Sequence, residues 1–325
     1  MKTRRLFIIF IIYIPLFFQF CGCKSASKPA VGDSENRGNN QVFPAGRVGT
    51  GVVLDNLPTE QERFENLSLK YPVVLAHGIA MRDRGTFLVP WGRIPQVLRE
   101  NNVEVFLGNT DAWGSIESNA ELLKATVDKI LEETGKKKVN IIAHSKGGLD
   151  SRYMIWKYGY GEKVASLTTI STPHHGAVVA DLILNLKSVH TKAAKKTLED
   201  LSRLYDDVFP DIYTAGYNLT TTNMEEFNKI VTMDDKVFYQ SIYSTMKNAK
   251  DDLLFSSSYN YIKKEIGEND GLVSEYSARW GYNITKIEGG ISHAQIIDIM
   301  WKERLDMKIP NIYLRIVNDL SNKGF

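Results

Sequence analysis

The sequence predicts an α/β protein, with a mostly parallel central sheet, helices on both faces and a helical insertion. Three observations predict it. From Tyr71 to about Thr172, short apolar runs alternate with amphipathic stretches, the pattern of strands joined by crossover helices. One run, Val139-Asn140-Ile141-Ile142-Ala143, breaks abruptly into a helical stretch at His144-Ser145-Lys146-Gly147-Gly148. From Asp181 to about Lys250 the sequence turns helical and poor in strand-like runs.

In chain order, Lys2, Arg4 and Arg5 precede an apolar stretch from Leu6 to Phe20. That stretch falls short of the roughly 20 residues that span a bilayer, and Pro15 interrupts it. A basic start, a short apolar centre and small residues after it read as an export signal over 1–22; an uncleaved membrane anchor is the alternative. Cys21 and Cys23 are the only cysteines, so the domain beyond them forms no internal disulfide. Phe20-Cys21-Gly22-Cys23 resembles a bacterial lipoprotein signal with Cys23 as the lipid acceptor, although Phe20 stands where Leu is usual. The chain is then exported and lipid-anchored, or secreted after ordinary cleavage. Removing 1–22 takes three of the 40 basic residues and none of the 38 acidic ones, for a net charge near −1. Nothing in that balance suggests nucleic acid. Residues 23–46, rich in Ser, Gly, Asn and Pro, read as a flexible tether, and 47–325 as the folded domain.

Pro72-Val73-Val74-Leu75-Ala76 is the first buried strand, ending at His77-Gly78. Trp91 to Asn101 is a helix with Pro95 in its first turn, and Val103 to Asn109 is a strand. Ser118 to Gly135 is a helix with Ala120, Leu123, Val127, Ile130 and Leu131 on one face. Ser118 and Glu121 read as its capping box and Gly135 as its C-terminal stop. Val139 to Ala143 and Lys163 to Thr172 are further strands. Leu182, Leu186, Val189, Ala193, Leu201, Leu204 and Val208 recur at helical spacing within the insertion, about 181–250. It is either a packed helical addition or a lid over the site. Tyr259 to Ile262 reads as a return to strand, and Tyr282 to Glu288 as the last strand before a loop and a helix.

A serine at an abrupt strand-to-helix turn, with small residues two positions either side, is the pattern of a nucleophile elbow. Ala143 and Gly147 are those small residues. A serine hydroxyl needs a base to become nucleophilic, and imidazole titrates in the right range. Of six histidines, His77, His144, His174, His175 and His190 are placed elsewhere, leaving His293 as the base. Asp270, in correct chain order and before Gly271, is the carboxylate that would orient it; Glu268 competes, with Asp251, Asp252 and Asp298 behind. Ser145, Asp270 and His293 stand in the order of the α/β-hydrolase triad. The backbone N–H groups of Ile79, after His77-Gly78, and of Lys146 would form the oxyanion hole. The Lys146 side chain has no evident duty beyond solvation.

Four blocks carry a family resemblance: Tyr71 to Ala80, Lys138 to Met154, Val164 to Ile183, and Asn269 to Gly281. In this order and with similar gaps they resemble the bacterial family I true lipases of the Pseudomonas and Burkholderia type. The resemblance implies an α/β-hydrolase fold, a helical lid, hydrolysis of long-chain triacylglycerols, and the roles already reached for Ser145, Asp270, His293, Ile79 and Lys146. It also implies a structural calcium, for which Asp251 or Asp252 is a candidate ligand. Where that family carries a carboxylate two residues after the base, this chain has Gln295, a weaker ligand for a hard cation. It also has Ala143 in place of the first elbow glycine, and lacks the family's paired cysteines.

The reading is a serine carboxylester hydrolase of lipase type that needs no cofactor and acts on lipid or ester substrates at a lipid or membrane interface. An esterase, phospholipase or acyltransferase with the same machinery, or a non-catalytic surface lipoprotein, are the alternatives. Nothing in the sequence speaks to oligomeric state.

Overall fold

The computed structural model describes residues 67–83, 90–185, 207–299 and 309–325. The expected export signal, the tether with Cys23, and 186–206 of the insertion (His190 included) lie outside the described residues. Six strands form one sheet: β1 (Val73–Ala76), β2 (Val105–Leu107), β3 (Val139–His144), β4 (Val164–Ile170), β5 (Phe238–Ser244) and β6 (Asn283–Ile287). Their order is β2-β1-β3-β4-β5-β6 and every pairing is parallel. The described helices include α1 (Ile94–Glu100), α2 (Ile116–Thr134), α3 (Lys146–Tyr158), α4 (Val178–Leu184), α5 (Ile212–Tyr217), α6 (Thr221–Ile230), α7 (Ser256–Glu265), α8 (Glu275–Ala278) and α9 (Ile309–Asn322).

Both faces of the sheet are covered, which is why the strands read as continuous apolar runs. The pleat sends Val73 and Leu75 to one side, against Ile94 and Leu98 of α1 and Ile312 and Val317 of α9. Val74 and Ala76 face the other side, against Ala120, Leu123 and Val127 of α2 and Ile155 of α3. The chain runs outward from β1 to β2, then crosses back to place β3 on the other flank of β1. That reversal makes the carboxyl ends of β1 and β3 a topological switch point, where a crevice opens in parallel sheets.

Four expectations need correction. Helix α2 begins earlier than expected: Ser115 is its N-cap, accepting from the Ser118 N–H, so no Ser118–Glu121 box forms. Gly135 does end it, in the left-handed conformation at φ 65°. Strand β5 lies inside the stretch assigned to the helical insertion. Its polar residues hid it, and β4 matches them: Gln240 donates to Thr168 Oγ1 at 2.8 Å, and Thr169 donates to Ser241 Oγ at 3.0 Å. Residues 256–265 form helix α7, with Tyr259 and Ile262 buried three positions apart. After His293 comes a single 3₁₀ turn, Gln295–Ile297, ahead of residues outside the description.

Candidate active site

The elbow is strained as the sequence pattern requires. Ser145 joins β3 to α3 at φ 54°, ψ −129°, a conformation that disfavours any residue with a Cβ. Gly147 is there for close approach: a Cβ would lie 2.4 Å from the His77 carbonyl oxygen and 2.6 Å from that of Ala76. Gly78 serves the same end, since its Cβ would meet Ser145 Cβ at 2.7 Å. The left-handed residue in that loop is Ala80, at φ 63°, and not Gly78.

Asp270 and His293 come together as expected. His293 Nδ1 sits 2.7 Å from Asp270 Oδ2, and the His293 N–H donates to the Asp270 carbonyl at 2.9 Å. Asp270 Oδ1 accepts from the N–H groups of Leu272 and Val273 at 3.0 and 2.8 Å. The carboxylate is therefore fixed from one side and offered to imidazole from the other. With Nδ1–H donating to it, Nε2 is the bare nitrogen that can take a proton. Asp270 sits beyond α7 and not at the end of a strand, yet the Met246 N–H donates to Asn269 O at 2.8 Å and ties it to the chain just after β5. The rivals are engaged elsewhere: Glu268 with Lys263, and Asp298 with Arg93 at 2.7 Å. No hydrogen bond joins Ser145 Oγ to His293 among the described residues; such contacts commonly tighten only with substrate in place.

Neither the Ile79 nor the Lys146 N–H donates to a protein acceptor among the described residues. Both are free to meet a developing oxyanion. The Lys146 side chain is not solvated. It is 1 % exposed and its Nζ lies 2.7 Å from Asp150 Oδ1, one turn along α3. Burial pushes the Asp150 carboxyl up to about 6, with the charge and hydrogen bond of Lys146 opposing. Asp150 Oδ2 also accepts from Asn119 Nδ2 at 3.1 Å.

Sequence reasoning missed two histidines that brace the site. His144 is fully buried, its ring centroid 4.5 Å from that of His293. Its Nε2 lies 3.0 Å from the His293 carbonyl oxygen, which only accepts, so Nε2 carries the proton. Burial, and then the neighbouring His293, holds its basicity well below the usual histidine range. His77 spans the early loop, with Nδ1 2.8 Å from Gly78 O and Nε2 3.2 Å from Thr110 O. His174 stacks on Trp280 at 4.7 Å and accepts from the buried Arg152 at 3.2 Å.

The calcium candidates Asp251 and Asp252 each hold hydrogen bonds within the loops before His293. Asp251 accepts from the backbone N–H groups of Lys247 and Asn248. Asp252 accepts from Ser292 Oγ at 2.6 Å. The Gln295 amide donates to the Asp251 carbonyl at 3.0 Å, placing a donor where a cation needs a ligand oxygen. Among the described residues no cluster of three His, Cys, Asp or Glu side chains could hold a metal.

A parallel sheet whose switch point holds a strained serine elbow defines the α/β-hydrolase class. Residues 72–234, half of the chain, match the family model described as palmitoyl protein thioesterase. Triacylglycerol lipase 2 of Saccharomyces cerevisiae is 30% identical over 260 residues, covering 72% of this chain and 74% of that protein. The triacylglycerol lipase of Burkholderia plantarii is 29% identical over 179 residues, 54% of this chain and 49% of that one. The match thus spans about half the length of the triacylglycerol lipases of Pseudarthrobacter phenanthrenivorans and Burkholderia plantarii. In fold, the chain resembles the lipase of Staphylococcus hyicus (TM-score 0.62, 17% identity, 81% of this chain and 99% of that one). The mature Bacillus licheniformis lipase is similar (TM-score 0.57, 21% identity, 81% and 99%). The chain belongs to the family described by that model, has the α/β-hydrolase fold, and is a hydrolase of lipase or esterase type.

Proposed function

We propose that the chain is a serine hydrolase acting on acylglycerol esters, of the type of the family I lipases that its four sequence blocks resemble. The observation that carries this reading is the Asp270–His293 pair at 2.7 Å beside a strained Ser145 elbow. Ser145 Oγ attacks the ester carbonyl as His293 Nε2 takes its proton. The N–H groups of Ile79 and Lys146 hold the oxyanion. The tetrahedral intermediate collapses, and His293 returns the proton to the departing alcohol. Water then deacylates Ser145 by the same proton path. Asp270 keeps the tautomer and stabilises the imidazolium.

A lipid surface as the place of action is supported by Val208 and Phe209, 58% and 50% exposed, and by the half-exposed Tyr213 and Tyr217. They follow one another near Ala112 and Trp113, which pack with Ile79. Apolar and tyrosine side chains suit a boundary that is greasy on one side and wet on the other. An esterase for small soluble substrates is the second reading. A series of p-nitrophenyl esters of rising chain length decides between them. A rate that climbs with chain length and rises at an emulsion interface is expected. A preference for short chains with no interfacial gain assigns the esterase. Because Gln295 donates to the Asp251 carbonyl and Ser292 to Asp252, we expect the same rates with calcium or with EDTA; a large loss on chelation would contradict the clasp.

The export signal over 1–22 and acylation of Cys23 complete the proposal, supported by the basic and apolar pattern ahead of Cys23. Palmitate label that persists after Cys23→Ala would remove the anchor.

A further inference from the structure

Two loops far apart in sequence exchange carboxylates beside the candidate oxyanion hole. Asp111, after β2, accepts from the N–H of Val208 at 2.9 Å on one oxygen and from that of Phe209 at 2.6 Å on the other. Asp207 returns the arrangement, accepting from the N–H groups of Ala112 at 3.1 Å and Trp113 at 2.8 Å. The Asp211 N–H closes the exchange on the Trp113 carbonyl at 2.8 Å. All four carboxylate oxygens are spent on backbone donors, a geometry that fixes both loops.

This exchange reaches the residue after Ile79 and the side chain of Lys146. The Ala112 carbonyl accepts from the Ala80 N–H at 2.9 Å and so holds the peptide next to Ile79. On the other side Asn119 bridges, accepting from the Asp111 N–H and donating to the Asp111 carbonyl, each at 3.0 Å. Asn119 also donates to Asp150, which holds the Lys146 ammonium. One continuous polar network thus touches the chain at Ala80 and at Lys146 and ends on 207–209.

We propose that Asp111 and Asp207 are positioning residues that set the oxyanion hole, acting through Ala112 on the Ile79 loop and through Asn119 and Asp150 on Lys146. This rests on the oxyanion roles assigned above. Neither carboxylate meets the reacting atoms; each acts at one remove, through Ala112 or through Asn119 and Asp150, on the segment that carries a donor. Loss of the exchange should weaken transition-state binding and leave ground-state binding alone, because the donors act only when negative charge develops.

The test is Asp207→Asn, whose amide nitrogen would face an N–H it cannot accept from. The full chain is assayed for kcat and KM on a p-nitrophenyl ester, and for inhibition by an alkyl boronic acid that adds to a serine hydroxyl as a tetrahedral anion. We expect kcat to fall about tenfold or more, with KM within twofold and the boronate Ki weakened by the same factor as kcat. Thr220→Ala, which removes the N-cap of α6, should lower Tm and leave kcat unchanged, separating lost stability from lost positioning. In the wild type, the amides of Ala112, Trp113, Val208 and Phe209 should be protected from hydrogen exchange. Exchange of these amides at free-peptide rates in the folded chain, or a variant with wild-type kcat and Ki, overturns the latch. If the boronate binds the wild type and Ser145→Ala equally, the oxyanion assignments fall first and the latch with them.

Discussion

Replacement of Ser145 by Ala should lower kcat for ester hydrolysis by about 10⁴-fold or more, roughly 5 kcal/mol of lost transition-state stabilisation. The residual rate would come from binding and from the N–H groups of Ile79 and Lys146, which the change leaves in place. Ser145→Gly should be as inactive, with a different stability. At φ 54° and ψ −129° a Cβ is disfavoured, so glycine relieves strain of about 1–3 kcal/mol that alanine retains. Thermal melts of the two variants check this: Gly is expected to melt above wild type and Ala close to it. Near-wild-type turnover in Ser145→Ala would end the serine mechanism. Equal melting of the two variants would show that the elbow carries no strain.

The second large effect belongs to Gly147→Ala. The added Cβ would sit 2.4 Å from His77 O and 2.6 Å from Ala76 O, and both obstacles are backbone at the end of β1. Neither can rotate away. Strand β1 and helix α3 must separate, at about 3 kcal/mol, which lowers Tm by roughly 6–12 °C. The displaced elbow should also lose about 100-fold in kcat, since an ångström of misplacement at a reacting group costs that much. A variant that melts and turns over like wild type would mean that the two backbones are not as close as described.

Ala143 shows why the two small residues of the elbow differ. It lies buried in β3, packed among the apolar residues of one sheet face, where a methyl group has a place. At Gly147 the carbonyls of the neighbouring strand fill that space. The substitution of the first elbow glycine by alanine is therefore compatible with the turn.

The strands β1, β3 and β4, helix α2 with its Gly135 stop, and the chain order of Ser145, Asp270 and His293 were legible in the sequence. Each declares itself locally, through an apolar run, a 3.6-residue period or a turn only small residues allow. Strand β5 was not legible, because a buried Gln240 or Ser241 becomes acceptable only once β4 supplies Thr168 and Thr169 beside it. Helix α7 was misread because Tyr and Ile favour strands in isolation, whereas here their spacing buries Tyr259 and Ile262 together.

By itself the sequence determined a parallel α/β chain and which serine, carboxylate and histidine are the candidates for its chemistry. Tertiary structure alone decided what holds them: the Lys146–Asp150 pair, the His144 ring under His293, the Gln295 clasp and the exchange between Asp111 and Asp207. The physical reason is range. Periodicity and turn chemistry act over a few residues and leave a local trace, while a buried polar contact acquires its partner only when segments distant in sequence close upon one another and water is excluded.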